Sequence, residues 1–115
     1  MDFEFPRGDT KLFKFKLKDN NGENLSLSVG DKLFFTVKKN AKSSNVLFQK
    51  KLDNGITYGE DGYYHITITS DDTAELQYGT YVYDIEIKTQ EGIVKTLVLG
   101  QITLTEEVTW KGDES

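Results

Sequence analysis

Along most of this 115-residue chain, apolar and polar residues alternate with a period of two. That is the pattern of strands with one buried face. Phe3 and Phe5 alternate with Asp2 and Glu4, and Pro6 and Gly8 end this first run. In residues 11–18, Phe13, Phe15 and Leu17 share one face, and Lys14, Lys16 and Lys18 the other. Asp19 to Gly22 reads as a turn, followed by Leu25 and Leu27 in a short strand or an ordered loop. Leu33, Phe35 and Val37 then alternate with Phe34, Thr36 and Lys38. Val46 to Leu52 predicts a strand near a sheet edge, because it carries Lys50 and Lys51. Asn54-Gly55 predicts a hairpin turn that needs positive φ, with Ile56 and Tyr58 on the return arm. Tyr64, Ile66 and Ile68 point inward, with His65, Thr67 and Thr69 outward. The longest run, Ile93 to Thr105, has apolar residues in both phases near Gly100. This predicts a bulge there, or a strand that changes sheets.

The stretch Ser70 to Ile87 organises the rest. Asp72 and Glu75 have the spacing of a capping box around one helical turn. Leu76 and Gly79 mark the exit from that turn. Tyr81, Tyr83, Ile85 and Ile87 then alternate with Val82, Asp84 and Glu86. A turn, a buried Leu, a Gly and a Tyr entering a strand match the tyrosine corner of immunoglobulin-like sandwiches. The structural corner is therefore expected at Asp72, Leu76, Gly79, Tyr81 and Tyr83. Together these segments predict an all-β fold: an immunoglobulin-like antiparallel β-sandwich of seven to nine strands with one short helical turn. The domain is expected over residues 1–109, with residues 110–115 a flexible C-terminal tail.

Composition narrows this picture. The length fits one domain. With no cysteine, disulfides, Cys-based zinc sites and Cys nucleophiles are excluded. No apolar run approaches the roughly 20 residues of a membrane span, and the start MDFEFPRGD lacks the character of a signal peptide. The net charge of −5 argues against nucleic acid as a partner. The charge is uneven, +5 over residues 1–51 and −10 over residues 52–115. One reading is Lys–Glu pairing across interleaved strands. The other is a bipolar surface that favours contact with copies or partners.

Candidate chemistry is sparse. The single histidine, His65, lies on a strand with no Ser or Cys nucleophile motif beside it. The acidic pairs Glu60/Asp61, Asp71/Asp72 and Glu106/Glu107 are adjacent in sequence, so their side chains diverge. Asp19 to Asn24 has calcium-ligand residue types without the EF-hand spacing. Arg7-Gly8-Asp9 reads as a turn between the first two strands. Tyr58, Tyr63, Tyr64 and Tyr78 either close the ends of the sandwich or form a platform for sugars. Trp110 either packs back on the sheet or anchors in a neighbour. The expected contact residues are Trp110, Tyr78 and Tyr63, with no catalytic, cofactor-binding or metal-binding residue.

The whole pattern resembles one family. Its elements run from Arg7-Gly8-Asp9-Thr10 and Phe13-x-Phe15-x-Leu17 through Asp19, Gly22 and Leu25 to Gly30-Asp31 and Phe35-Thr36-Val37-Lys38. They continue with Asp72, Leu76, Gly79, Tyr81, Tyr83-Asp84-Ile85, Thr96-Leu97, Gly100 and Glu107-Val108-Thr109. Taken together they resemble the immunoglobulin-like N-terminal domain of phage baseplate upper proteins and related tail or prophage proteins. The resemblance implies a non-enzymatic structural module that docks by protein–protein contact in a tail or baseplate assembly, with homo-oligomers possible. It also implies a location in the virion or the bacterial host cytoplasm, with no cofactor, nucleic acid or membrane. The alternatives are a carbohydrate-binding or adhesive surface module, and a small acidic inhibitor of a host enzyme.

Overall fold

In the computed structural model, residues 2–18, 21–23, 27 and 30–106 are described. Trp110, the tail 110–115, the Glu107-Val108-Thr109 motif, Asp19, Asn20, Asn24 and Leu25 lie outside the described residues. Among the described residues, eight strands and one helical turn follow in order: β1 (Phe3–Pro6), β2 (Lys11–Phe15), β3 (Lys32–Lys38), β4 (Val46–Leu52), β5 (Gly55–Tyr58), β6 (Tyr64–Ile68), α1 (Ser70–Thr73), β7 (Gly79–Lys88) and β8 (Val94–Thr105). They form one sheet in the order β1-β8-β7-β3-β4-β5-β6-β2, curled so that side chains of its two end strands meet. β3, β7 and β8 lie side by side, as do β2, β6 and β5. These are the neighbours of an immunoglobulin-like sandwich, with C, F and G in one layer and B, E and D in the other.

The inward residues are those the alternation names. Phe15, Leu33, Phe35, Val37, Tyr64, Ile66, Ile68, Tyr81, Tyr83, Ile85, Ile102 and Leu104 are buried together. An aromatic chain closes the curl where no backbone pairing does. Phe3 on one end strand lies 4.3 Å from Phe13 on the other, ring centre to ring centre. Phe13 reaches Phe35 at 5.6 Å, and Phe35 reaches Tyr83 at 5.2 Å. The ring separations suit tilted and edge-on contacts.

Three details differ from the sequence reading. First, the pairing is mixed. Five of the pairs are antiparallel, but β1 runs parallel to β8, and β4 runs parallel to β5. Second, Asn54-Gly55 does not make an antiparallel hairpin. The N–H of Lys51 donates to the Asn54 carbonyl at 2.9 Å, and the N–H of Asn54 to the Lys51 carbonyl at 2.8 Å. Asp53 and Gly55 both take positive φ, at 69° and 101°. The loop coils once, and the chain leaves it in its original direction, Lys51 beside Gly55 and Leu52 beside Ile56. This is where the chain passes from one layer to the other. Third, the bulge in β8 falls at Leu97, three residues before Gly100. Ile85 pairs with Val98 and Glu86 with Thr96, so Leu97 is the extra residue.

Candidate functional site

The corner is built as expected, with one shift. The Tyr81 hydroxyl donates to the Gln77 carbonyl at 2.8 Å, the bond back to the preceding connection that defines a tyrosine corner. Tyr83 is buried two residues on, and Leu76 packs against the core. Gly79 opens β7 at φ 137°. The capping pair is Thr69 and Asp72 rather than Asp72 and Glu75. The helical turn begins one residue after Thr69, which puts Asp72 at the third helical position, where its carboxylate reaches back. Asp72 Oδ2 accepts the Thr69 N–H at 2.7 Å and lies 2.7 Å from Lys50 Nζ on β4.

The opening Arg7-Gly8 turn is fastened to this corner, a link the sequence did not disclose. The N–H of Gly8 donates to Thr73 Oγ1 at 2.8 Å, and Thr73 is 1% exposed. Arg7 Nη1 donates to the Leu76 carbonyl at 3.2 Å, and the guanidinium lies 4.4 Å from the Tyr78 ring centre. Arg7 is thus held within the molecule. The corner joins the start of the chain to β7 and carries no open chemistry of its own.

Of the tyrosines, Tyr64 is buried, and its hydroxyl accepts the Leu27 N–H at 3.2 Å. Burial pushes its hydroxyl pKa up. Tyr63 lies under the ammonium groups of Lys14 and Lys16, at 4.4 and 4.6 Å. Tyr58 tilts against Tyr64 at 52°. Tyr63 precedes β6 and Tyr78 precedes β7, so these two expected contact residues sit on different turns. Cations thus lie against Tyr63 and Tyr78.

His65 and Asp61 close the turn between β5 and β6. His65 Nε2 lies 3.1 Å from Asp61 Oδ1, the Tyr63 N–H donates to the same oxygen at 3.0 Å, and Lys14 Nζ is 3.8 Å from Oδ2. The hydrogen bond from His65, then that from Tyr63, holds the Asp61 carboxyl below its ordinary range. A β-carbon on Gly59 would come within 2.6 Å of His65 Nε2, so the glycine makes room for this pair. The cluster supports a turn. Among the described residues, no group of three or more His, Cys, Asp or Glu side chains could hold a metal ion. No helix among them is long and apolar enough to cross a membrane.

The surface that stands out is the first half of β8. β1 pairs only with Ile102 to Thr105 of that strand. Among the described residues, nothing pairs with the same side of Val94 to Gly100. Ile93, Val94 and Leu99 are exposed there, Leu99 by 72%. Leu99 lies beside Asp84, which lies beside Thr36, so all three occupy the outer face of β8, β7 and β3. They border a shallow depression of about 400 Å³ that also touches Lys38, Val82 and Gly100. Burial raises the Asp84 carboxyl above its ordinary range, and Lys38 opposes the shift. An open strand edge with apolar side chains is a ready template for another strand. Sequence reasoning did not single out Leu99, although its signal was present in the apolar residues that break the alternation before Gly100.

No protein-family model matches this chain, and no curated protein matches its sequence.

Proposed function

We propose that this chain is a non-enzymatic docking module of a phage-type tail or baseplate assembly, acting by protein–protein contact in the virion or the host cytoplasm. One observation carries the reading: the half-paired β8, whose edge along Val94 to Gly100 meets no strand among the described residues, with Leu99 exposed. The resemblance noted in the sequence supplies the kind of assembly. The tethered corner suits the role, because a rigid sandwich holds an edge at fixed geometry for a partner. The two alternatives draw less support. A sugar platform needs bare, coplanar tyrosines, and cations lie against Tyr63 and Tyr78. An acidic inhibitor needs one continuous negative face. Here the basic first half supplies β1, β2, β3 and β4, which interleave with the acidic half in the sheet.

The test is composition of assembled particles. The chain should appear in purified tails or baseplates of the phage or prophage that encodes it, and Leu99→Lys should reduce its incorporation. Absence of the wild-type chain from such particles would overturn the reading.

A further inference from the structure

Resting on the docking reading above, we infer that the strand covering β8 is the β8 of a second copy, antiparallel about a two-fold axis opposite Leu97 and Val98. An open edge commits its occupant to an extended strand, since only a strand can meet alternating N–H and C=O groups. Which strand fits follows from the edge itself.

The N–H of Gln101 points away from β7, because it donates to Asp2 Oδ1 at 3.0 Å. Backbone groups alternate along a strand, so those of Leu99 point to the same open side. The extra residue at Leu97 resets the alternation, and Thr96 and Val94 then join the outward set. Thr96 and Leu99 also share the outer face, beside Glu86 and Asp84. The outward positions 94, 96, 99 and 101 are symmetric about Leu97 and Val98. A two-fold copy centred there sets bulge against bulge and Thr96 against Leu99, while the Gln101 N–H stays with Asp2 and the pairing stops short of Val94.

Charge and length favour a copy over a foreign strand. Lys95 is the only charged residue from Ile93 to Thr105. In this register it faces Gly100, so two like charges do not meet across the pair. The open stretch is closed by Asp2 at one end and by the Thr89–Ile93 turn at the other. A longer strand would run into these ends, whereas a copy brings a stretch of the same length. The contact is isologous and uses both open halves, so it closes as a dimer without propagating.

The chain has no cysteine, which makes cross-linking clean. Single variants Thr96→Cys and Leu99→Cys, mixed in equal amounts and oxidised, should give mainly the mixed disulfide between one variant and the other. By sedimentation equilibrium, wild-type chain should pass from monomer to dimer as concentration rises. Leu99→Lys should weaken the dimer at least about tenfold, a change of roughly 1.4 kcal/mol. Thr96→Lys serves the same purpose should Leu99→Lys fail to fold. A wild-type chain that stays monomeric at its highest soluble concentration would overturn the inference. So would a dimer that neither lysine weakens, or self-disulfides formed as readily as the mixed one. A monomer found in assembled particles would sink the copy and leave the docking reading standing.

Discussion

At the scale of single residues, Asp72 holds two elements with one oxygen. Oδ2 accepts the Thr69 N–H and meets Lys50, and both side chains are largely buried, at 14% and 16% exposure. Asp72→Ala removes the cap and leaves a largely buried lysine without its ion-pair partner. We expect a loss of about 2–4 kcal/mol, between the cost of a cap and that of a broken buried pair. Asp72→Asn keeps an acceptor for Thr69 and should cost less, so urea unfolding of the two variants separates cap from charge. Tyr81→Phe removes only the hydroxyl that reaches Gln77. It should cost about 1 kcal/mol with an unchanged denaturant slope. A loss within error of zero would mean that the corner bond is replaced by water without penalty.

Among elements, β7 is the strand whose environment departs most from its sequence. Alternation placed Asp84 on its outward face, and it is there, but the outer face is not open water. Thr36 on β3 and Leu99 on β8 flank it, and burial raises its carboxyl. A carboxyl whose folded pKa lies above its unfolded value favours the protonated form in the fold. Its contribution is fully present below the unfolded value and is lost as pH rises through the folded one. Asp84→Asn should therefore raise the thermal midpoint at neutral pH, with the gain shrinking as pH falls towards about 4. An equal gain at both pH values would refute this origin. The strands themselves were legible because one-sided burial enforces the period of two, as Tyr81 to Ile87 show. The pairing partners were not, because Lys51 beside Gly55 and Phe3 beside Ile102 depend on contacts far apart in sequence or on coiled-loop geometry. The cap at Thr69 was missed because Asp72-x-x-Glu75 has the same residue spacing one turn further on. The Lys14, Lys16 and Arg7 that lie against Tyr63 and Tyr78 were not legible beside them, because they come from distant strands and turns. The break in phase near Gly100 was the one visible sign of the β8 edge.

For the whole molecule, closure depends on rings that join strands without backbone bonds, and Tyr83 lies at their centre. Its ring meets Phe3 of the first strand at 5.7 Å and Phe35 of β3 at 5.2 Å. Burial, and then the charge of Asp2, push its hydroxyl from 10 up to about 12. Below pH 10, Tyr83 is neutral in folded and unfolded chains alike, and its burial is fully compatible with the fold. Above pH 10 the unfolded chain gives up this proton while the folded chain retains it, so stability falls as pH rises towards about 12. Denaturant midpoints measured across this range should decline for the wild type. Tyr83→Phe should decline less steeply, since a ring without a hydroxyl has no proton to lose. Tyr64 is also raised by burial, so part of the decline should remain in that variant. Tyrosinate absorbance gives an independent check, with Tyr83→Phe removing part of the late-titrating fraction. Identical alkaline profiles for the two proteins would show that Tyr83 is not the group limiting closure at high pH.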